Sequence, residues 1–161
     1  MSIDTAHKSG WEISEVVFGF PLLAAIGLHF IFPLRLPQGL FRLALIPVGA
    51  ALFIAGLAVA LSASREFARF SQSMEPGQPI TRMVETGAFS ISRNPLYLGI
   101  VCVLSGLGLL LNVLWILIML LPSILLCHFI LIAPEERYLS GKFGSDYAAY
   151  AGSVHRWCGR K

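Results

Sequence analysis

Residues 96–133 carry no Asp, Glu, Lys or Arg, and the only histidine among them is His128. With 56% apolar or aromatic residues in the 161-residue chain, so long an uncharged stretch points to a membrane as its surroundings. A helix crossing the roughly 30 Å hydrocarbon core of a bilayer needs about 20 predominantly apolar residues. The stretch is too long for one crossing, and Asn112 divides it into arms at 96–111 and 113–133. Residues 16–34 are uncharged apart from His29, and residues 43–61 hold no ionisable side chain. The expected fold is therefore all-α: a polytopic membrane protein with four transmembrane helices near 16–34, 43–61, 96–111 and 113–133, in one domain spanning 1–161. Composition agrees, with 13% charged residues against about 25% in soluble domains. A disordered chain is excluded, and the composition argues against a free-standing water-soluble globule. Cys102, Cys127 and Cys158 are too few and too scattered for a disulfide framework or a zinc site, and no metal is expected.

Orientation follows from the basic residues. Lys8, Arg65, Arg69, Arg82, Arg93, Arg137, Lys142, Arg156, Arg160 and Lys161 fall on the side shared by both termini and the middle loop. Only Arg35 and Arg42 fall on the other. That bias predicts a multi-pass protein with cytoplasmic termini. The pI near 9.0 then reflects topology, and no nucleic-acid partner is expected. Asp4, Glu12 and Glu15 precede the first apolar run, so it does not read as a cleavable signal peptide. Pro95 suits the first turn of a helix, and Trp115 suits an interfacial anchor at the far end of the hairpin. Ala51 and Ala55, and Gly56 and Ala60, are spaced four apart, as in close helix packing. Gly106-Leu107-Gly108 follows no strand and is no nucleotide fingerprint.

Polar residues gather in two segments, 62–94 and 134–161. The first is expected to extend a helix over 64–73 and to turn at 75–79. The second opens with Glu135 and Glu136. Acids at the end of a membrane helix are either functional and paired or solvated at the interface. Beyond them Tyr138, Leu139, Phe143, Tyr147, Tyr150, Val154 and Trp157 recur at three- and four-residue spacings, which predicts an amphipathic helical tail broken near Phe143-Gly144. Such a tail can lie on the membrane surface or fold over a pocket as a lid. His29 and His128 stand at membrane depth, either as proton relays or as hydrogen-bonded core histidines. His128 shares a face with Glu136, two turns on.

Three motifs occur in order: Met83-Val84-x-x-Gly87-x-Phe89, Arg93-Asn94-Pro95-x-Tyr97-x-Gly99, and Glu135-Glu136-x-x-Leu139-x-x-x-Phe143-Gly144-x-x-Tyr147-x-x-Tyr150. Together, over about 81–157, they resemble the isoprenylcysteine carboxyl methyltransferase family, which is grouped with the phospholipid N-methyltransferases among small integral membrane methyltransferases. The resemblance implies a cytoplasmic S-adenosylmethionine pocket built from residues 81–99 and 134–157, with S-adenosylhomocysteine as product. It implies that Met83, Val84 and Phe89 line the pocket and that Asn94, Pro95, Leu96 and Tyr97 form a loop against the cofactor. Glu135 would hold the cofactor's polar end, with Glu136 and Arg93 as catalytic candidates. The eukaryotic members have histidine where Asn94 stands, so this position is not a general base. They also have an arginine shortly before the paired glutamates, which 125–134 lacks.

Methyl transfer from a sulfonium is an in-line displacement, so positioning and desolvation should carry most of the catalysis. A carboxylate or thiolate acceptor needs no base at transfer. An amine must first lose a proton, which Glu136 or water would accept. The expected partners are the bilayer and a lipophilic or prenylated acceptor, entering laterally while the cofactor arrives from the cytoplasm. The alternatives are N-methylation of an ethanolamine headgroup, or a non-enzymatic four-helix scaffold or small transporter. The resemblance points to a bacterial inner membrane and leaves oligomeric state open.

Overall fold

The structure, a computed structural model, describes residues 14–70 and 81–161. Its elements are α1 (Glu15–Ile31), α2 (Leu40–Arg69), α3 (Pro95–Leu111), α4 (Leu114–Phe143) and α5 (Ser145–Ser153). A short 3₁₀ turn, Gly87–Ser90, precedes α3. Among the described residues the fold is all-helical, and its one extended pairing is an isolated antiparallel bridge between Val154 and Arg160. By length and composition α2 and α4 can each cross a membrane, while α1 and α3 are shorter apolar helices. The expected span at 43–61 is the middle of a longer helix, since α2 starts at Leu40 and runs on to Arg69. The turn expected at 75–79 lies outside the described residues, as do Asp4 and Glu12.

The helices pack in a row, α2 on α3, α3 on α4, and α4 on α1, with no extended contact between α1 and α2. The α2–α3 seam rests on missing side chains. A Cβ on Gly56 would stand 2.7 Å from the Gly99 carbonyl oxygen, and one on Gly106 would stand 2.7 Å from both the Gly49 carbonyl oxygen and the Phe53 nitrogen. Such close approach suits a lipid environment, where association depends on van der Waals packing because burial of apolar surface gains little. Of the small residues expected to pack, Gly56 and Ala60 lie in this seam, whereas Ala51 and Ala55 are exposed. The outer faces of α1 and α2 display Phe20, Phe30, Leu40, Leu43 and Ile54 among other exposed large apolar side chains. That pattern is expected of helices whose solvent is lipid.

The hairpin turn between α3 and α4 is fixed by three polar devices. Asn112 ends α3 in the left-handed conformation (φ 57°), which asparagine tolerates better than most residues. Its side-chain oxygen accepts a hydrogen bond from the Leu36 amide at 2.8 Å. Arg42 donates to the Leu109 and Leu110 carbonyls at 2.5 and 2.6 Å, satisfying acceptors the helix end leaves open. Trp115 donates to the Phe32 carbonyl at 2.6 Å.

At the opposite end α4 contains a widened turn, Cys127–Ile132, closed by the Ala133 amide reaching back five residues to the His128 carbonyl. Pro134 follows directly and brings no N–H of its own to the ladder. The extra residue in the turn shifts the face of everything beyond it, including Glu135 and Glu136. His128 packs edge-on against Phe129, with ring centroids 4.9 Å apart. His29 Nδ1 is buried without a hydrogen-bond partner.

Candidate active site

The cavity sits where α2, the 83–94 segment, α4 and α5 converge, and it measures about 650 Å³ including its open mouth. Each wall has a local cause. Near its end α2 contributes Phe67, whose ring lies 5.1 Å from that of Phe89. Phe89 is brought there by the 3₁₀ turn, which begins at Gly87 with φ 59°. A side chain at that glycine would meet Glu66 Cγ at 2.7 Å, and Glu66 accepts the Thr86 hydroxyl hydrogen bond that fixes the turn to α2. Met83 and Val84 line the cavity beside it. Val84, Ala88 and Phe89 form a small core with Ala63.

The Arg93–Pro95 step then turns the chain into α3. Pro95 is fully buried and opens α3, where its missing N–H leaves nothing unsatisfied. Asn94 is buried and lines the cavity. Its amide group is committed elsewhere, donating to the Arg156 carbonyl at 3.0 Å. Tyr97, two residues into α3, donates its hydroxyl to Glu135 at 2.8 Å. Arg93 Nη1 lies 3.1 Å from Glu136 and 3.4 Å from the Tyr147 hydroxyl.

Glu136 meets a second guanidinium. Arg156 Nε and Nη2 fork onto its two oxygens at 2.9 and 2.6 Å, the planar geometry that makes arginine–carboxylate pairs strong. The hydrogen bond to Glu136 raises the Arg156 pKa, with burial opposing it. Tyr150 donates to the Phe89 carbonyl at 2.8 Å. Burial raises the pKa of both Tyr147 and Tyr150; Glu136 raises Tyr147 further and Arg93 opposes the shift. Both hydroxyls therefore stay neutral over the physiological range, Tyr150 donating and Tyr147 accepting from Arg93.

Met83, Val84, Phe89, Arg93, Asn94, Glu135 and Glu136, all singled out from the sequence, are thus brought to one cavity. Pro95, Leu96 and Tyr97 are not on its wall: Pro95 is buried at the start of α3, and Tyr97 reaches the site through Glu135. The amphipathic tail breaks at Gly144, where φ is 53°. Its apolar face packs inward, with Tyr147, Tyr150 and Val154 against Met83, Leu139 and Phe143. Phe67, Arg82 and Arg156 were missed as site residues. Phe67 continues the stripe of Gly56, Ala60 and Ala63 at helical spacing, a signal available in the sequence. The pairing of Arg156 with Glu136, twenty residues away, leaves no local signal.

The sequence profile of the phospholipid methyltransferase family matches residues 44–146. The chain belongs to that family. The match agrees with the resemblance carried by the three motifs and makes this a membrane protein of a methyltransferase family. Neither a curated protein nor a solved structure matches the chain.

The residues present fit the cofactor such a family implies. The cavity is open at its mouth and lined by both apolar and polar side chains. It offers apolar and aromatic surface from Phe67, Met83, Phe89 and Leu139 for a flat base. Glu135, held by Tyr97, is a carboxylate suited to an ammonium group.

Proposed function

We propose that this protein transfers a methyl group from S-adenosylmethionine to a lipid-borne acceptor at the cytoplasmic face of a membrane, as one domain over 1–161. The observation that carries the proposal is the convergence of all three sequence motifs on one cavity at one end of the helix row, within a chain of methyltransferase family. In this reading all four apolar helices cross the membrane, both termini are cytoplasmic, and the host membrane is a bacterial inner membrane. The ten-to-two distribution of basic residues supports that orientation.

When bound, the cofactor supplies an electrophilic methyl group on a sulfonium. The chain's own residues bind and orient it. Glu135 pairs with the ammonium, while Met83, Val84, Phe89 and Phe67 exclude water around the base, strengthening the polar contacts inside. Asn94, Pro95 and Leu96 hold the loop that closes this side. Arg93 and Glu136 form a charge-balanced pair beside the reacting region, and their role is to position.

Two acceptor classes fit. A prenylated or otherwise lipidic carboxylate or thiolate is favoured by the state of Glu136, whose oxygens are taken up by guanidinium contacts and are poorly placed to collect a proton. A phospholipid amine is supported by the family's description, while the absence of an arginine in 125–134 weakens a carboxylate acceptor without establishing an amine. Incubating membranes that contain the protein with methyl-labelled cofactor, then separating the lipids, tests both. Label in an alkali-labile ester or thioether supports the first class, and label in an ethanolamine headgroup supports the second. No lipid labelling above that of membranes lacking the protein would refute both.

A further inference from the structure

The family match ends at residue 146, but the cavity does not. Tyr147 and Tyr150 form part of its wall, and the chain beyond them folds back onto the site. Val154 and Arg160 pair across a tight loop closed by bonds from the His155 amide to the Gly159 carbonyl and from the Lys161 amide to the Ser153 carbonyl, each 2.9 Å. This loop is bonded to the segment that enters α3. The Arg93 amide donates to the His155 carbonyl at 3.1 Å, and the Gly159 amide donates to the Ile91 carbonyl at 2.7 Å. Asn94 Nδ2 and Ser92 Oγ both donate to the Arg156 carbonyl, at 3.0 and 3.5 Å. Arg156 also reaches the other wall, through its fork on Glu136. One residue thus joins α4, the 92–94 loop and the tail.

We propose that Arg156 is a positioning residue that latches the C-terminal segment over the cavity and thereby completes the cofactor-binding wall formed by Tyr147 and Tyr150. The inference rests on the reading of the cavity as a cofactor pocket. A helix as short as α5 is not stable by itself in water, and Gly144 joins it to α4 through a left-handed backbone. Its position is therefore set by tertiary contacts. The apolar contacts of the two tyrosines fix one face, and the latch fixes the chain that follows. The charges favour reversible closure. Arg156 is 36% exposed at its side chain, against 16% for Glu136 and 12% for Arg93. Releasing the outer arginine leaves the inner one still paired with Glu136 at 3.1 Å, so opening strands no buried charge. Lysine would supply the charge without the fork.

The test uses the full chain in lipid nanodiscs, with S-adenosylhomocysteine as probe. In Arg156→Ala the affinity for this ligand is expected to fall roughly tenfold, with kcat at saturating cofactor changed less than about threefold. Arg156→Lys is expected to lie between. Hydrogen exchange at the Arg93 and Gly159 amides should accelerate in Arg156→Ala, while the α2–α3 amides stay as slow as in the unsubstituted protein. A merely structural role would instead lower thermal stability throughout and leave the KM-to-kcat split unchanged. If the unsubstituted protein binds the ligand and Arg156→Ala binds it equally well, the latch is overturned and the cofactor reading stands. If the unsubstituted protein binds no ligand, the cofactor reading falls, and with it the proposed role of the latch in cofactor binding. Unchanged exchange at Arg93 and Gly159 would also overturn the latch.

Discussion

The α2–α3 seam and the cavity are built from opposite materials. In the seam the decisive positions are glycines, and two backbones touch because nothing stands between them. In the cavity the decisive positions are long polar and aromatic side chains, with Arg93, Glu136, Arg156, Tyr147 and Tyr150 reaching across from separate elements. The reason is solvent. In lipid an apolar side chain gains little by leaving the bilayer for a helix interface, so close fit decides. Where water reaches, it competes for every polar group, so only convergent, partly buried pairs hold a fixed geometry. The seam therefore supports a rigid platform, and the cavity it carries is held by contacts that can be changed one at a time.

The sharpest way to break the contrast is to fill the seam. Gly56→Leu places a branched side chain where a Cβ already meets the Gly99 carbonyl and Cys102, and it should destabilise by about 3 kcal/mol or more. Ala55→Leu, at an exposed neighbouring position on the same helix, should change stability little. Thermal unfolding in detergent compares the two directly. Next in size is Arg93→Ala, which removes the inner partner of Glu136 and the contact to Tyr147. A loss of about 2 kcal/mol is expected, below the full cost of a broken buried pair because Arg156 remains on the carboxylate. The seam should be unaffected, as hydrogen exchange of the α2–α3 amides would show.

Smaller again is Tyr150→Phe, which removes the hydroxyl that donates to the Phe89 carbonyl and, at 3.4 Å, to the Ser92 carbonyl and should cost about 1 kcal/mol. The same residue gives a pH signature. Burial raises its pKa in the fold, so the folded state holds this proton more tightly than the unfolded chain. The associated stability is fully present below the ordinary tyrosine value of about 10 and is lost as pH climbs beyond it. Tyr150→Phe should flatten that alkaline decline, measured by unfolding from pH 8 upward, and the decline should persist in Ala55→Leu.

The seam was more legible from the sequence than the cavity's full wall. Uncharged runs, the Asn112 break and Pro95 at a helix start mark element boundaries because each acts within one turn of its own position. Gly56 and Ala60 were readable as packing residues, although spacing alone did not distinguish them from Ala51 and Ala55, which are exposed. The cavity was half legible. The motif residues Met83, Val84, Phe89, Asn94 and Glu135 do converge. The fork of Arg156 on Glu136 is a tertiary contact between a helix and a loop bridge, and no periodicity connects the two. The widened turn at Cys127–Ile132 was equally silent, yet it helps set which way the paired glutamates face.

The account stands most directly on whether the cavity binds the cofactor through Glu135. Calorimetric titration of S-adenosylhomocysteine into the full chain in nanodiscs measures this, with Glu135→Gln beside it and Ala55→Leu as the seam-side control. The expected result is saturable binding at one site, unchanged in Ala55→Leu and at least about tenfold weaker in Glu135→Gln, a difference of about 1.4 kcal/mol. Absence of binding to the unsubstituted protein, or equal affinity in Glu135→Gln, would contradict the account.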